Sequence, residues 1–313
     1  MSLSPAAASV DEAARQQRVR RGFLAALSAY LIWGVAPLFF HALSDLSPLE
    51  IIAHRVVWGA ISISIVVAFT GGWVETLAIL RAPRKALLFV GSAAAVSINW
   101  LIFVHATTTG RGLDASLGYY IFPLVSVLLA ALFFQERFSR RQSLALGVVS
   151  CGVLIMIIAR GTLPWIPLGL ALTFGLYGVL RKMAPAESLV GLLVETLILL
   201  PFSLGFLAWQ AWQGDGLLHM PGRIDLWALL IIGTPLWTGL PLFLFAVGAR
   251  RLPLSTVGLM QYINPTSQFF LATLVFRETF TVTHAVTFGL IWLGLALYSW
   301  PQSPSSGSSL KSS

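Results

Sequence analysis

Apolar residues run along this chain in windows of about twenty, separated by short polar connectors. A hydrocarbon core of roughly 30 Å needs about that many apolar residues in a helix, so the pattern predicts membrane spans. Ten windows are centred near 32, 60, 96, 123, 150, 173, 198, 237, 264 and 290. The connectors carry turn chemistry: Ser47-Pro48, Gly71-Gly72, Gly110 to Gly112, Gly161 to Pro164 and Gly214 to Gly222. The expected fold class is an all-α membrane protein with ten transmembrane helices.

The polar positions predict orientation, because cytoplasmic loops are enriched in Lys and Arg. With the N-terminus inside, the inside segments hold fifteen of the twenty basic residues. The outside segments hold four, Arg111, Arg160, Arg223 and Arg277, and Arg55 lies within a span. Both termini are therefore expected in the cytoplasm. A missed helix would scramble this count.

The chain also repeats itself. Tyr120-Ile121-Phe122-Pro123, followed by Phe134-Gln135-Glu136-Arg137-Phe138, returns as Tyr262-Ile263-Asn264-Pro265, followed by Phe276-Arg277-Glu278-Thr279-Phe280, at an offset of 142 residues. Ala130 and Ala272, Gly147 and Gly289, and Gly152 and Gly294 keep the same offset. A fixed register over some thirty residues points to duplication. Tyr30-Leu31-Ile32-Trp33-Gly34 has a weaker echo in Phe174-Gly175-Leu176-Tyr177-Gly178. The expected division is a tail over 1–21, five-helix repeats over 22–160 and 161–300, and a disordered Ser-rich tail over 301–313. An odd number of helices per repeat turns the second upside down, as in many secondary transporters.

Composition agrees: 57% of residues are apolar and 10% charged, against roughly 25% charged in soluble domains. The net charge of +8 and pI near 10.2 reside in short clusters between apolar runs. No basic face with interleaved aromatics exists for nucleic acid. Cys151 is the single cysteine, which excludes an intrachain disulfide and a Cys-based metal site and leaves small-residue packing as its expected role. The first apolar run is too long for a signal-peptide core and has no small-residue cleavage site, so it is expected to be retained.

Several segments in order resemble the RarD-type proteins of the EamA family, within the drug/metabolite transporter superfamily. They include Ala29 through Pro37, His54-Arg55-Val56-Val57-Trp58, Asn99-Trp100-Leu101-Ile102-Phe103, Ala115 through Val125, and Glu136-Arg137-Phe138. The second half continues with Phe174 through Gly178, Val194-Glu195-Thr196 and Gln261-Tyr262-Ile263-Asn264-Pro265-Thr266. The resemblance spans Gly22 to about Trp300. It implies ten helices in two inverted repeats and an inner-membrane permease of the exporter type; it implies no particular substrate.

Candidate chemistry lies at mid-depth. Pro123 and Pro265 fall about ten to twelve residues into their spans, where proline frees a backbone carbonyl and bends the helix. Each is either a static kink or a hinge. Tyr120, Gln261, Tyr262 and Asn264 would then face a cavity, and two amides near the membrane centre are costly if they face lipid. Arg55 costs roughly 2.5–3.5 kcal/mol at a helix centre; it either snorkels outward or serves the site, with His54 and Glu50 in hydrogen-bonding range. Glu195 is its approximate counterpart in the other half, too far along the normal for a direct bridge and a candidate for proton coupling, as is His54. Asn99-Trp100 and the run Gly233 to Pro241 sit in the third helix of each half, the latter with two prolines and two glycines that predict a broken helix. Trp33, Trp100, Tyr120 and Trp237 would furnish an aromatic wall, or an interfacial belt. Glu136, with Arg137, Arg140 and Arg141, reads as surface charge, while Glu278 lies at a helix end on the opposite side. Gly147, Gly152, Gly289 and Gly294 are expected to permit close packing.

These features favour a transporter, an exporter by the resemblance, with an uptake permease or channel as the alternative. The partners are a small-molecule substrate and membrane lipid, with a homo-oligomer left open and no cofactor or metal required. An enzyme lacks ingredients: no His-rich cluster, no Gly-x-Ser-x-Gly elbow, no P-loop and no paired intramembrane carboxylates.

Overall fold

A computed structural model describes residues 5–135, 139–184 and 186–299. The expected charge cluster at Glu136 and Arg137 and the tail from 301 lie outside these residues. The described residues are helical, with no strand among them. In order they form α1 (Pro5–His41), α2 (Pro48–Thr70), the short α3 (Trp73–Leu80), α4 (Pro83–Thr108), α5 (Gly112–Phe134), α6 (Arg140–Arg160), α7 (Trp165–Met183) and α8 (Ser188–Trp212). There follow α9 (Ile224–Ala228), α10 (Thr234–Ala249), α11 (Leu254–Met260), α12 (Ile263–Phe270) and α13 (Val282–Ser299). The segment expected as an N-terminal tail is thus helical from Pro5 and continuous with the first span.

Among the described residues, eight helices are long and apolar enough to cross a membrane. Large apolar side chains stand on the outer surface, Phe69 at 88% and Ile158 at 80% exposure, where water would penalise them and lipid does not. The protein is a multi-pass membrane protein. Two other helical stretches fall short of the same standard: α7, whose last turn carries Arg181 and Lys182, and the residues 254–275, interrupted by a turn at 261–262.

Helix ends follow local chemistry. The Ser47 hydroxyl accepts a hydrogen bond from the Glu50 amide at the start of α2, and Ser139 with Gln142 forms a capping box at the start of α6. Gly71 and Gly161, at φ +76° and +64°, end α2 and α6 in the left-handed conformation that glycine adopts without strain.

Proline and the backbone find different accommodations in different helices. The run Gly233 to Pro241 was expected to break its helix. Instead a π turn over Leu229–Gly233 joins α9 to α10, which runs on through Pro241. Widening the turn re-pairs carbonyls that proline would orphan. A second π turn covers Leu271–Val275. The helix of Pro123 is uninterrupted, whereas that of Pro265 breaks at Gln261-Tyr262, where the Gln261 carbonyl accepts from the Asn264 amide at 3.3 Å.

The main seams are α5 with α7, α6 with α13, α1 with α10, α2 with α8 and α4 with α7. Lesser seams join α1 to α12, α12 to α5, α4 to α8, α10 to α2 and α2 to α4. At the α6–α13 seam, a Cβ on Gly152 would meet Leu290 Cβ at 3.2 Å and the Thr287 carbonyl at 3.4 Å, and one on Gly294 would meet Val149 and the Ala145 carbonyl, the latter at 3.0 Å. These two glycines permit the approach, as expected. Gly147 and Gly289 do not: a Cβ on either meets nothing within 4 Å. Cys151 is exposed and has no packing role.

Candidate functional site

The two tyrosines of the duplicated motif meet. Tyr120 and Tyr262 stack at 6.4 Å with an interplanar angle of 16°, where α5 crosses the α11–α12 turn. Tyr120 is buried, and its hydroxyl shares a hydrogen bond with Thr266 Oγ1 at 2.6 Å. Phe288 and Trp292 of α13 close over its edge. Ser116, one turn before Tyr120, donates to the Pro265 carbonyl at 2.8 Å. Around Pro265 the polar residues turn to one another: Asn264 Oδ1 accepts from Gln268 Nε2 at 2.7 Å. Gln268 is buried and its Oε1 has no partner. Gln261, half-buried in the turn, is separated from Asn264 by the break and does not share a regular helix face with it. Sequence reasoning missed Gln268, although it stands one helical turn after Asn264.

A second network surrounds Asn99, which is 1% exposed. Its amide nitrogen donates to the Leu170 carbonyl at 3.0 Å and to Thr173 Oγ1 at 3.1 Å, and its oxygen accepts from the Tyr119 hydroxyl at 3.3 Å. Asn99 thereby ties α4 to both α5 and α7. Next to it Trp100 lies under Arg55, with the guanidinium carbon 4.3 Å from the ring centroid and 5.7 Å from that of Phe40. Such stacking is a cation–π arrangement. It directs the Arg55 head inward onto rings of the largest core cluster, which differs from snorkelling to the membrane edge. Trp237 packs against the same cluster and faces Phe39 at 5.7 Å.

Trp33 stands apart, edge-on to Tyr30 and tilted against Phe245, in a separate cluster with Val257 and Met260. The four expected aromatic residues therefore divide among three packing groups. Gly34 beside Trp33 is where α1 crosses α12; a Cβ there would fall 2.5 Å from Ser267 Cβ.

Glu195 is 1% exposed and multiply held. Ser92 donates to Oε1 at 2.6 Å, Tyr177 to Oε2 at 3.3 Å, and Arg181 Nε stands 3.7 Å away. The Arg181 guanidinium lies over Phe89 and fills the place where a Cβ of residue 191 would sit, a place left open by Gly191. As expected, no ion pair joins Arg55 and Glu195; each has a different environment.

Glu50 and His54 do not reach Arg55 either. Glu50 accepts from Gln210 Nε2 at 3.0 Å and from the Leu217 amide at 2.7 Å, fixing the loop after α8. His54 is edge-on to Trp227 at 5.4 Å. Together with Trp58, Gln210, Asp215 and Trp227 they line a cavity of about 210 Å³.

One constellation had no clear sequence signal. Asp114 accepts from Arg111 at 2.7 Å and Arg160 at 3.0 Å, and Arg160 also meets His284. Glu278 accepts from the Gly112 and Leu113 amides at 2.6 and 2.9 Å, capping the N-terminus of α5 where its dipole favours a negative charge. Burial holds the Glu278 carboxyl above its ordinary value, partly offset by these two amides. No group of His, Cys, Asp or Glu suited to a metal ion occurs among the described residues.

Comparison with known proteins agrees with this architecture. An uncharacterized transporter of Vibrio cholerae is 40% identical over 286 residues, 91% of this chain and 93% of that protein. Protein RarD of Escherichia coli K12 is 38% identical over 282 residues, 90% and 95% of the two chains. A protein of Pseudomonas aeruginosa named chloramphenicol-sensitive protein RarD is 30% identical over 285 residues, 90% and 94%. One solved crystal structure, 17% identical, superposes with a TM-score of 0.53 over 90% of this chain and 96% of that one, a likeness of fold alone. The profile of the EamA-like transporter family matches twice, over residues 20–158 and 163–300, so the chain belongs to that family as a RarD-type membrane transporter.

Proposed function

We propose that this protein is a secondary transporter that moves a small organic metabolite or drug out of the cell by alternating access. It does so with ten passes arranged as two inverted five-helix repeats in the inner membrane, both termini cytoplasmic. The observation that carries this reading is a symmetry of contact. Counting α9–α10 and α11–α12 as one pass each, exchange of the first five passes with the last five sends every main seam and all but one of the lesser seams onto another or onto itself. The exception is α2–α4, which has no comparable counterpart between α8 and α10 among the described residues. The α1–α10 seam goes to α4–α7, α1–α12 to α5–α7, and α4–α8 to α2–α10; α2–α8, α5–α12 and α6–α13 are their own images. The same exchange relates Gly152 against the Thr287 carbonyl to Gly294 against the Ala145 carbonyl, at the 142-residue offset. Inverted repeats of this kind bind their substrate near the midplane at the repeat interface; in this reading that site is formed by the Tyr120–Tyr262 stack, Asn264 and the Asn99–Trp100 pair.

In this reading the helices of Pro123 and Pro265 are the hinges, and Glu195 is the coupling group. Protonation of Glu195 removes the charge that holds Arg181 and frees α7 to move against α8. A carrier reconstituted into liposomes shows saturable flux that unlabelled substrate inhibits from either side. Flux that rises without saturation makes the protein a channel instead, and a chemically altered solute makes it an enzyme. Proton-driven transport that survives Glu195→Gln removes the coupling role. Candidate solutes come from comparing metabolites in deletion and overexpressing cells.

A further inference from the structure

Three carboxylates are buried among the described residues: Glu50, Asp114 and Glu195. Each has hydrogen-bonding partners on its oxygens: Gln210 and the Leu217 amide for Glu50, Arg111 and Arg160 for Asp114, Ser92 and Tyr177 for Glu195. Arg160 and Arg181, the basic side chains turned inward at the bundle ends, have carboxylates within 4 Å. Arg55 is the exception. It lies within a membrane span, no hydrogen bond or ion pair from the described residues reaches its guanidinium, and its Nε is buried without a partner among them. Trp100 and Phe40 offer only ring faces. The neighbouring amide of Asn99 is spent on Leu170, Thr173 and Tyr119.

A cation in such a place is costly unless something negative joins it. The Trp100 ring faces the guanidinium plane, while the edge that carries the buried Nε makes no hydrogen bond with the described residues; that is the edge that grips an oxyanion with two parallel hydrogen bonds. We infer that Arg55 is the receptor for an oxyanion, a carboxylate or a phosphate, carried by the transported solute. The inference rests on the transport reading above and adds the charge of the cargo. The solute's anion supplies the missing countercharge on binding and leaves with it on release. Trp100 keeps the guanidinium in place between cycles.

The test compares cells and purified full-length protein bearing Arg55, Arg55→Lys and Arg55→Gln. In cells, metabolites are profiled inside and in the medium. The solutes that follow expression of the wild-type protein are expected to be organic acids or organic phosphates. Their flux falls at least about tenfold in Arg55→Gln, the loss of roughly one good charged hydrogen bond, and recovers in part in Arg55→Lys, which restores charge without the fork. In detergent and without solute, Arg55→Gln melts at or above the wild-type temperature, because an unpaired charge has been removed. If the solutes that follow expression are neutral or cationic, the receptor role falls while the transport reading stands. If no solute follows expression, both fall. A melting temperature clearly below wild type for Arg55→Gln makes Arg55 a structural residue and overturns the assignment.

Discussion

Gly191 gives a test in which the sign of an effect depends on a second residue. In the first turn of α8, alanine in place of glycine ordinarily stabilises a helix by roughly 0.5–1 kcal/mol. Here the space for the new methyl is already filled by the Arg181 guanidinium, whose Nη1, Cζ and Nη2 all crowd it. The flexible arginine head, not the backbone, must yield, and in yielding it leaves Glu195, now 3.7 Å away. Removing one partner from a buried ion pair costs about 3–5 kcal/mol. Glu195 keeps Ser92 and Tyr177, and the Arg181 side chain is 14% exposed, so about 1–3 kcal/mol is the reasonable expectation after that discount. Gly191→Ala alone should therefore lower the melting temperature of the purified protein in detergent, by a few degrees at roughly 2 °C per kcal/mol for a chain of this size. In an Arg181→Met background the crowding is gone and the same substitution should raise the melting temperature relative to Arg181→Met. The four proteins form a double-mutant cycle. If Gly191→Ala has the same sign and size in both backgrounds, the glycine does not exist for the arginine and the reasoning is wrong.

Other expectations follow from the same packing and charge geometry. Gly294→Leu should destabilise the α6–α13 seam by at least 1–3 kcal/mol through overpacking, whereas Gly289→Leu should be close to neutral; comparison of detergent melting curves separates them. Asn99→Leu leaves the Leu170 carbonyl and Tyr119 hydroxyl without their partner and should cost about 1–3 kcal/mol, read in the same assay. Because burial raises the Glu278 carboxyl in the folded state, the protonated form is favoured by folding. Its contribution is fully present below the ordinary value of 4.5 and is lost as pH rises through the higher folded value. Melting followed across that window should show the decline in wild type and a flatter curve in Glu278→Gln. Asn264→Phe installs the residue of the first copy and should reduce flux of a polar solute in liposomes. It also strips buried Gln268 of its hydrogen-bond partner and should cost about 1–3 kcal/mol in detergent melting; flux per folded protein that stays unchanged removes Asn264 from the site.

Hydropathy was enough to place the eight helices among the described residues that are long and apolar enough to cross a membrane, since span length is set by the bilayer; the windows centred near 173 and 264 fell on helical stretches that miss that standard. The 142-residue register singled out Tyr120 and Tyr262 as a pair, but that their rings stack on each other is a property of the fold. The register failed at Gly147 and Gly289 for a geometrical reason: they precede Gly152 and Gly294 by five residues, about 140° around a helix of 3.6 residues per turn. All four cannot face one seam, and only the pair beside Ala145 and Val149 or Thr287 and Ile291 does. The π turns were not legible, because a run rich in proline and glycine states that the backbone needs relief without stating whether a break or a widened turn supplies it. The Arg181–Glu195 pair and the Glu278 cap on α5 join distant segments, so no local pattern announces them. Arg55 was legible as an anomaly, a charge in a span. Its orientation onto Trp100 required the fold.

The break at Gln261-Tyr262 has a kinetic consequence. The helix of Pro123, by contrast, runs without interruption, so the two members of the proposed hinge pair have unequal stiffness. In a cycle that bends one to open inward and the other to open outward, the two reorientation steps then have unequal barriers, and the slower one caps turnover. Microscopic reversibility forbids such inequality from choosing the direction of net flow, which belongs to the gradient. What it sets is the conformation in which the empty carrier waits: a substitution that stiffens 261–262 should shift that resting population from one side of the membrane to the other while leaving the equilibrium distribution of solute untouched.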